Sequence, residues 1–201
     1  MSVLLDQVTK QIKTCKQCRL YRTRTNAVPG EGPENARIAF VGEAPGFNED
    51  REARPFVGRA GKLLEKLLAS IGMTREDVWI GNVIKCRPPD NRSPHVDELR
   101  SCAPYLDLQL REINPDLVCA LGRFAAEHFL DGIKISEEHG KPKKVGRFTV
   151  LPLYHPAAAL RGARVARELR EDFKNIPKIL SGEIKVESVN NNNDESQMSL
   201  L

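Results

Sequence analysis

The sequence predicts a three-layer α/β/α domain around a central, mostly parallel four-stranded sheet. Four short apolar segments bounded by turn residues have the character of buried strands, and amphipathic helical patterns lie between them. Strands that alternate with helices form parallel sheets covered on both faces. The chain has 201 residues, of which 40% are apolar, so it is long enough for one such domain.

The predicted strands are near-continuous apolar runs, as expected when both faces of a sheet are buried. They cover residues 38–41, 78–84, 117–121 and 148–153. The helical patterns cover residues 61–71, 96–113, a stretch after Gly122, and about 163–180. Gly72 ends the first pattern, and Ser93 is the candidate N-cap of the second, with Pro94 in its first turn.

The composition separates a domain over residues 1–180 from a polar tail over 181–201, which we expect to be flexible. The chain contains neither an apolar run of about 18 residues nor a recognisable signal peptide. We therefore expect a cytoplasmic protein, monomeric and without a membrane partner. The formal net charge of +4 permits nucleic acid as a partner without requiring it.

The chain has five cysteines, an odd number that fits a metal site better than a disulfide framework. Cys119 lies inside an apolar run and is predicted to be a buried strand residue. The other four are a Cys-x2-Cys pair and two single residues, namely Cys15, Cys18, Cys86 and Cys102. Four thiolates can hold zinc or a four-iron cluster, and the two isolated cysteines favour the cluster because zinc ribbons usually present two close pairs.

Polar loops follow the predicted strands at the edge where parallel α/β sheets place their chemistry. Residues 42–46 follow the first strand, residues 82–94 the second, Gly122 and Arg123 the third, and residues 154–156 the fourth. The carboxyl ends of parallel strands share one edge of the sheet. These loops therefore predict a single cleft.

The chain resembles the family 4 uracil-DNA glycosylases, the iron-sulfur type, over residues 10–180. The resemblance lies in motifs that occur in one order: Cys15-x2-Cys18, Gly42-Glu43-Ala44-Pro45-Gly46, Arg54-Pro55-Phe56-Val57-Gly58, Asn82, Cys86, Cys102 and His155-Pro156. It implies a uracil-DNA glycosylase-like fold and a DNA repair enzyme that hydrolyses the N-glycosidic bond of uracil and leaves an abasic site. It also implies a [4Fe-4S] cluster held by Cys15, Cys18, Cys86 and Cys102.

The resemblance implies a uracil pocket whose first turn is Gly42, Glu43 and Ala44. Uracil presents two carbonyl acceptors and an N–H donor, which the amide of Asn82 matches and which cytosine inverts. Phe56 would stack on the flipped base, and His155 would donate to O2 as charge develops there. From the residues alone, Asn82 can instead be a turn residue, Phe56 a core residue and His155 a structural histidine.

The residue that handles the attacking water differs from the family 1 pattern. Family 1 enzymes carry an aspartate where this chain has Ala44, and a tyrosine that excludes thymine where it has Gly46. Glu43 and Asn91 are the remaining candidates for the water, so the predicted catalytic set is Glu43, Asn91 and His155. Thymine must be excluded elsewhere, by Glu43 or the Phe56 loop.

Four residues are predicted to contact DNA. Leu160 can fill the gap left by the flipped nucleotide, and Arg161 and Arg164 begin a stripe of arginines suited to phosphates. Ser93 can contact the DNA backbone beside the uracil. Alternatively, Leu160 is a core residue, and the arginines belong to a salt-bridged face exposed to solvent. The ending Gln197-Met198-Ser199-Leu200-Leu201 resembles the start of the peptide by which DNA-repair proteins dock on a sliding clamp, without its usual aromatic pair.

Two other classes of function remain open at this stage. One is a non-catalytic or covalent uracil-DNA-binding iron-sulfur protein, although the covalent relatives carry Gln where this chain has Ala44. The other is an electron carrier that uses the same four cysteines. No lysine lies beside the pocket motifs, so the enzyme is predicted to be monofunctional, without a lyase step.

Overall fold

The protein is described by a computed structural model over residues 3–188. Its strands are β1 (Ile38–Gly42), β2 (Trp79–Asn82), β3 (Leu117–Leu121), β4 (Lys143–Val145), β5 (Phe148–Leu153) and β6 (Glu187–Ser188). Its α-helices are α1 (Val3–Thr14), α2 (Phe47–Glu52), α3 (Arg59–Ser70), α4 (Val96–Ile113), α5 (Arg123–Phe129), α6 (Ile135–Glu138), α7 (Pro156–Ala159) and α8 (Ala163–Leu180). Short 3-10 turns cover Arg19–Arg22, Arg75–Asp77 and Pro89–Asn91.

The strands form one sheet in the order β2-β1-β3-β5-β4-β6. The pairs β1-β2, β1-β3 and β3-β5 are parallel, whereas β4 runs antiparallel to β5 and parallel to β6. The three-layer α/β/α class is confirmed, and each of the four predicted strands is present, as β1, β2, β3 and β5. The sheet nevertheless has six strands and not four. The sequence did not predict β4 and β6 because they are too short and too polar to form an apolar run.

Helices cover both faces of the sheet because its central strands alternate between two apolar clusters. Phe40 and Leu151 face α3 and α8, and the Phe40 ring stacks on Phe173 with centroids 5.6 Å apart. Val41 and Val118 face α4 and α5 on the other side. Full burial of each such side chain stabilises the fold by roughly 1.5–3 kcal/mol before entropy is counted. Cys119 of β3 is fully buried, as predicted.

The helix α4 has the predicted bounds, but its N-cap is His95 and not Ser93. The Glu98 carboxylate accepts a hydrogen bond from the His95 backbone N–H at 2.8 Å, which is one half of a capping box. Ser93 is an exposed residue two positions before this cap. Of the remaining helices, α1, α2, α6 and α7 were not predicted.

The first part of the predicted tail is attached to the domain. Ile184 and Val186 pack against the core, and Glu187 and Ser188 pair with β4. The segment that resembles a sliding-clamp peptide, 197–201, lies outside the described residues. Within the residues that are described, no helix combines the length and the apolar character needed to span a bilayer.

Candidate active site and cysteine pocket

A pocket of about 370 Å³ lies at the carboxyl ends of the parallel strands. Strands β1 and β2 end in register there, with Gly42 opposite Asn82. The pocket brings together most of the predicted site residues, namely Glu43, Ala44, Phe56, Asn82, Asn91, His155 and Arg161. It is also lined by Pro45, Gly46, Glu49, Pro88, Arg92 and Ala157.

Four predicted site residues do not line this pocket. Gly42 lies behind it, Ser93 is exposed on the loop before α4, and Leu160 is 42% exposed directly before the pocket residue Arg161. The exposure of Leu160 excludes the alternative that it is a core residue. The Arg164 side chain is exposed and lies 3.8 Å from Glu168, which matches the alternative of a salt-bridged solvent face.

Asn82 is the last residue of β2 and is only 2% exposed. Its Oδ1 atom has no hydrogen-bond partner in the described part of the chain. A buried acceptor without a partner costs about 1–3 kcal/mol. Because this side chain lines the pocket, a ligand N–H can supply the missing bond.

Gly42 allows the Asn82 and Phe56 side chains to lie against the backbone at the end of β1. A Cβ atom at this position would lie 2.4 Å from Asn82 Oδ1 and 2.6 Å from the Phe56 ring. Real Cβ atoms essentially never come this close to another heavy atom. Gly42 therefore shapes the pocket by its lack of a side chain, although it does not line it.

Phe56 is held in an unusual backbone conformation, with φ of 52°. A non-glycine residue in this region costs about 1–3 kcal/mol and persists only where its surroundings impose it. Here Arg75 donates to the Phe56 carbonyl at 2.7 Å, and the Glu49 carboxylate accepts from the backbone N–H groups of Val57 and Gly58 at 2.9 and 2.7 Å. The ring is buried within the core cluster, as the core-residue alternative expects, and it also lines the pocket, so stacking on a base remains a prediction.

Glu49 and Arg75 are the positioning residues that sequence analysis missed. Glu49 lies in α2, a helix of six residues without an apolar stripe, and its carboxylate also accepts from the Gly46 N–H at 3.1 Å. A glutamate three residues after a glycine is a possible capping signal that could have located this helix. Nothing in the sequence around Arg75 indicates that it reaches the Phe56 loop.

His155 presents one defined proton to the pocket. Its Nδ1 atom accepts a hydrogen bond from the Ala157 N–H at 3.1 Å, so the proton of a neutral ring resides on Nε2. Burial lowers the pKa of His155 to about 4, which keeps the ring neutral at physiological pH. The imidazole lies near the Phe56 ring, with centroids 5.7 Å apart and planes inclined by 29°.

Glu43 and Asn91 differ in what they can offer to a water molecule. Burial raises the pKa of Glu43, an effect that the positive charge of Arg123 partly offsets. The Asn91 Oδ1 atom already accepts a hydrogen bond from Arg87 Nε at 2.8 Å. The Glu43 carboxylate can therefore take a proton from a water molecule, whereas the Asn91 amide can only hydrogen-bond to it.

The four predicted ligand cysteines line one small pocket at the opposite side of the loop after β2. Cys15 follows α1, Cys18 precedes the 3-10 turn 19–22, Cys86 lies in the loop, and Cys102 lies in α4. No group of three or more His, Cys, Asp or Glu side chains between residues 3 and 188 is arranged to hold one metal ion. Four thiol side chains in one pocket are a donor set that both zinc and a four-iron cluster accept.

Positively charged and N–H groups surround these sulfur atoms. Arg24 Nη1 lies 2.9 Å from Cys86 Sγ, and the Lys85 backbone N–H lies 3.3 Å from Cys102 Sγ. Lys85 is 1% exposed, and its Nζ atom has no hydrogen-bond partner among the described residues, although it lies 5.6 Å from the centroid of the Trp79 ring. Burial lowers the pKa of Lys85 to about 8. Burial also raises the pKa of Cys102 to about 12. An anionic group bound by the cysteines would compensate the buried Lys85 and the half-buried Arg24.

The N-terminal segment, residues 15–28, connects the cysteine pocket to the active-site loops. The Asp50 carboxylate in α2 accepts from the N–H groups of Thr25 and Asn26 at 2.9 and 3.1 Å. The Val28 N–H donates to the Lys85 carbonyl at 2.8 Å. The segment therefore contacts α2, which follows the first pocket loop, and the loop that follows β2.

The family model for the uracil DNA glycosylase superfamily matches residues 29–176. A type-4 uracil-DNA glycosylase of Archaeoglobus fulgidus is 48% identical over 181 residues, which cover 86% of this chain and 91% of that protein. The type-4 enzymes of Sulfurisphaera tokodaii and Thermotoga maritima are 46% and 47% identical, covering 86% and 83% of this chain and 83% and 88% of their own lengths. The chain therefore belongs to the uracil-DNA glycosylase superfamily and, within it, to the type-4 enzymes.

Proposed function

We propose that this chain removes uracil from DNA by hydrolysing the bond between uracil N1 and the sugar C1′, leaving an abasic site. The observation that carries the proposal is the pair of complementary groups in the pocket, an unpaired Asn82 Oδ1 acceptor and a neutral His155 that carries its proton on Nε2. A flipped uracil offers an N3–H to the first and a carbonyl O2 to the second.

Asn82 and Phe56 supply recognition. The Asn82 amide accepts from uracil N3–H through Oδ1 and donates to O4 through its NH2 group, a pattern that cytosine reverses. The Phe56 ring stacks on the base, held in place by Arg75 and Glu49. A base with the wrong pattern leaves buried polar groups unpaired, which discriminates strongly against it.

His155 and Glu43 supply catalysis. As the C1′–N1 bond breaks, uracil leaves as an anion, and the Nε2–H of His155 donates to O2, where much of the charge collects. Glu43 in its ionised form accepts a proton from the water that attacks C1′, and its charge stabilises the oxocarbenium-like sugar. Asn91, whose Oδ1 accepts a hydrogen bond from Arg87, can help to position the water, but an amide does not take up its proton.

The lining of the pocket supports a monofunctional enzyme. A lyase step requires an amine that attacks C1′ and forms a Schiff base. The described residues that line the pocket include Arg92 and Arg161 but no lysine. Arg161, Leu160, Arg164 and Ser93 are assigned to the DNA around the uracil.

The four cysteines are proposed to hold a [4Fe-4S] cluster. The donor set and the surrounding cations Arg24 and Lys85 fit an anionic cluster held by four thiolates. Such a cluster would join α1, the loop after β2, and α4. Its role in this proposal is structural, because it fixes the loop that runs from Asn82 to Arg92.

Incubation of the purified protein with oligonucleotides that contain one uracil, one thymine mismatch or neither tests the function. Alkali cleavage only at uracil is the expected result. An absorption band near roughly 400 nm in the same sample would support the cluster. A folded, coloured protein that binds uracil-containing DNA without producing breaks would instead favour the non-catalytic class.

A sliding clamp is a second proposed partner, which would bind residues 197–201. Because the proposed substrate is DNA, the protein is proposed to act in the cytoplasm, at the chromosome. Because residues 184–188 belong to the domain, the deletion that tests this partner begins at residue 189. Loss of clamp association with unchanged uracil excision is expected. Clamp binding that survives the deletion would contradict this part of the proposal.

A further inference from the structure

Phe47 is an exposed aromatic residue at the edge of the pocket that the chemistry above does not use. It is 51% exposed, begins α2 and directly follows the pocket residue Gly46. It is the only aromatic residue among the large exposed apolar side chains of the described chain, which are Val3, Leu4, Phe47, Val96 and Leu160. A single exposed apolar residue needs no explanation by itself, so the surroundings of Phe47 decide its meaning.

Two guanidinium groups lie beside the Phe47 ring. The Arg87 and Arg51 Cζ atoms are 5.1 and 5.6 Å from the ring centroid. Neither arginine forms an ion pair within residues 3–188, in contrast to their neighbours Arg54, Arg75 and Arg92, which are paired with carboxylates. An aromatic ring flanked by uncompensated cations is the combination by which proteins hold single-stranded nucleic acid, since bases stack on the ring and phosphates pair with the cations.

The ring remains accessible to a base. On α5, the Arg123 Cζ atom lies 4.3 Å from the centroid of the Phe124 ring, which is a close stack. Both guanidinium groups at Phe47 are more than 5 Å from the centroid, and half of the residue is exposed. A planar base can therefore stack on the ring, while Arg51 and the terminal amino groups of Arg87, whose Nε is bonded to Asn91, pair with phosphates.

Phe47 and Arg87 are fixed to the wall of the uracil pocket. Phe47 follows Gly46 in the chain, and Arg87 precedes Pro88 and donates to Asn91 Oδ1 at 2.8 Å. Gly46, Pro88 and Asn91 all line the pocket. A base that stacks on Phe47 would thus belong to a nucleotide next to the uracil. In a duplex that base is retained by its pairing partner, whereas in a single strand it is free to turn onto the ring.

We propose that Phe47, flanked by Arg51 and Arg87, is a stacking subsite for the unpaired base adjacent to uracil in single-stranded DNA. The inference rests on the proposed uracil excision and extends it to a class of substrate. It assigns a second base-binding position to the enzyme, outside the pocket that receives uracil.

The test combines protein variants with substrates that lack one base. Uracil excision is measured as kcat/KM on a single-stranded oligonucleotide, and on two versions in which the base 5′ or 3′ to uracil is replaced by a tetrahydrofuran residue. Phe47→Leu keeps an apolar side chain without the ring, and Phe47→Trp keeps a stacking face. On the complete strand, Phe47→Leu is expected to lose roughly 5-fold to 150-fold, corresponding to about 1–3 kcal/mol per stacked base.

The proposal requires that removing the Phe47 ring and removing the stacked base act on the same contact, so that their effects on kcat/KM do not add. On the strand that lacks the stacked base, wild type and Phe47→Leu should have equal kcat/KM, and Phe47→Trp should resemble wild type on every strand. Phe124→Leu, which removes another arginine-stacked ring that does not line the pocket, serves as the matched control. An undiminished Phe47→Leu, or an equal loss on all three strands, overturns the subsite. Failure of the wild type to release uracil from any strand would instead overturn the proposed function.

Discussion

Replacement of Gly42 by alanine is a direct test of the pocket geometry. The added Cβ would lie 2.4 Å from Asn82 Oδ1 and 2.6 Å from the Phe56 ring, whereas ordinary van der Waals contact begins at 3.4 Å. Asn82 must therefore move by about 1 Å, and Phe56 by almost as much. A misplacement of about 1 Å can cost roughly 100-fold in rate, and overpacking of a core costs about 1–3 kcal/mol of stability.

The assay is kcat/KM for release of uracil from a duplex oligonucleotide, together with the midpoint of thermal unfolding. Gly81→Ala is the matched control, because its Cβ would lie 2.4 Å from the Trp79 ring, which belongs to the apolar cluster on the other face of the sheet. Both variants should unfold at lower temperature than wild type, while only Gly42→Ala should lose about 100-fold in kcat/KM. Wild-type kinetics in a folded Gly42→Ala protein would refute the assignment of Asn82 and Phe56 to the uracil pocket.

The remaining predictions concern the catalytic groups and the cysteine pocket. His155→Ala should lower kcat by about 100-fold to 1000-fold, and the wild-type rate should show no histidine titration between pH 5 and 8, because the pKa of His155 is about 4. The rate should fall as the pH falls through the raised pKa of Glu43, and a Glu43→Gln variant that kept this acid limb would contradict the role of Glu43. Asn82→Asp should lose uracil-restricted excision, measured against cytosine-containing strands, and full selectivity would refute the amide pairing. Cys86→Ser should lose the visible absorption band and unfold at lower temperature; an unchanged spectrum would contradict its role as a ligand.

The four central strands could be predicted because they are buried on both faces and therefore read as uninterrupted apolar runs. Strand β4 could not be predicted, because it contains Lys143 and Lys144 and is stabilised by its pairing with β5, not by an apolar run of its own. Helix α1 carries a readable stripe of Leu5, Val8 and Ile12, which the prediction did not use. Its partner is the long helix α4, against which it packs beside the cysteines.

The pocket residues could be predicted from motifs, but the groups that orient them could not. Glu49 and Arg75 act on Phe56 through its backbone, and such contacts depend on loop conformation and not on any spacing in the sequence. The same holds for the tautomer of His155, which is set by the Ala157 N–H. The hydrogen bond from Arg87 to Asn91 Oδ1 likewise depends on the conformation of the loop after β2 and follows no pattern in the sequence.

The N-terminal segment has a consequence for how type-4 enzymes could be built or redesigned. The superfamily model matches residues 29–176, so Cys15, Cys18 and Arg24 all lie before the matched stretch. The segment is nevertheless hydrogen-bonded to Asp50 and to the Lys85 carbonyl, which lie within that stretch. If the cysteines alone were introduced into another member of the superfamily, the segment that carries Cys15 and Cys18 would lack its hydrogen-bond partners on the rest of the domain. The smallest set of residues to transfer therefore consists of residues 15–28, the positions on α2 and after β2 to which they are hydrogen-bonded, and the ligand candidates Cys86 and Cys102.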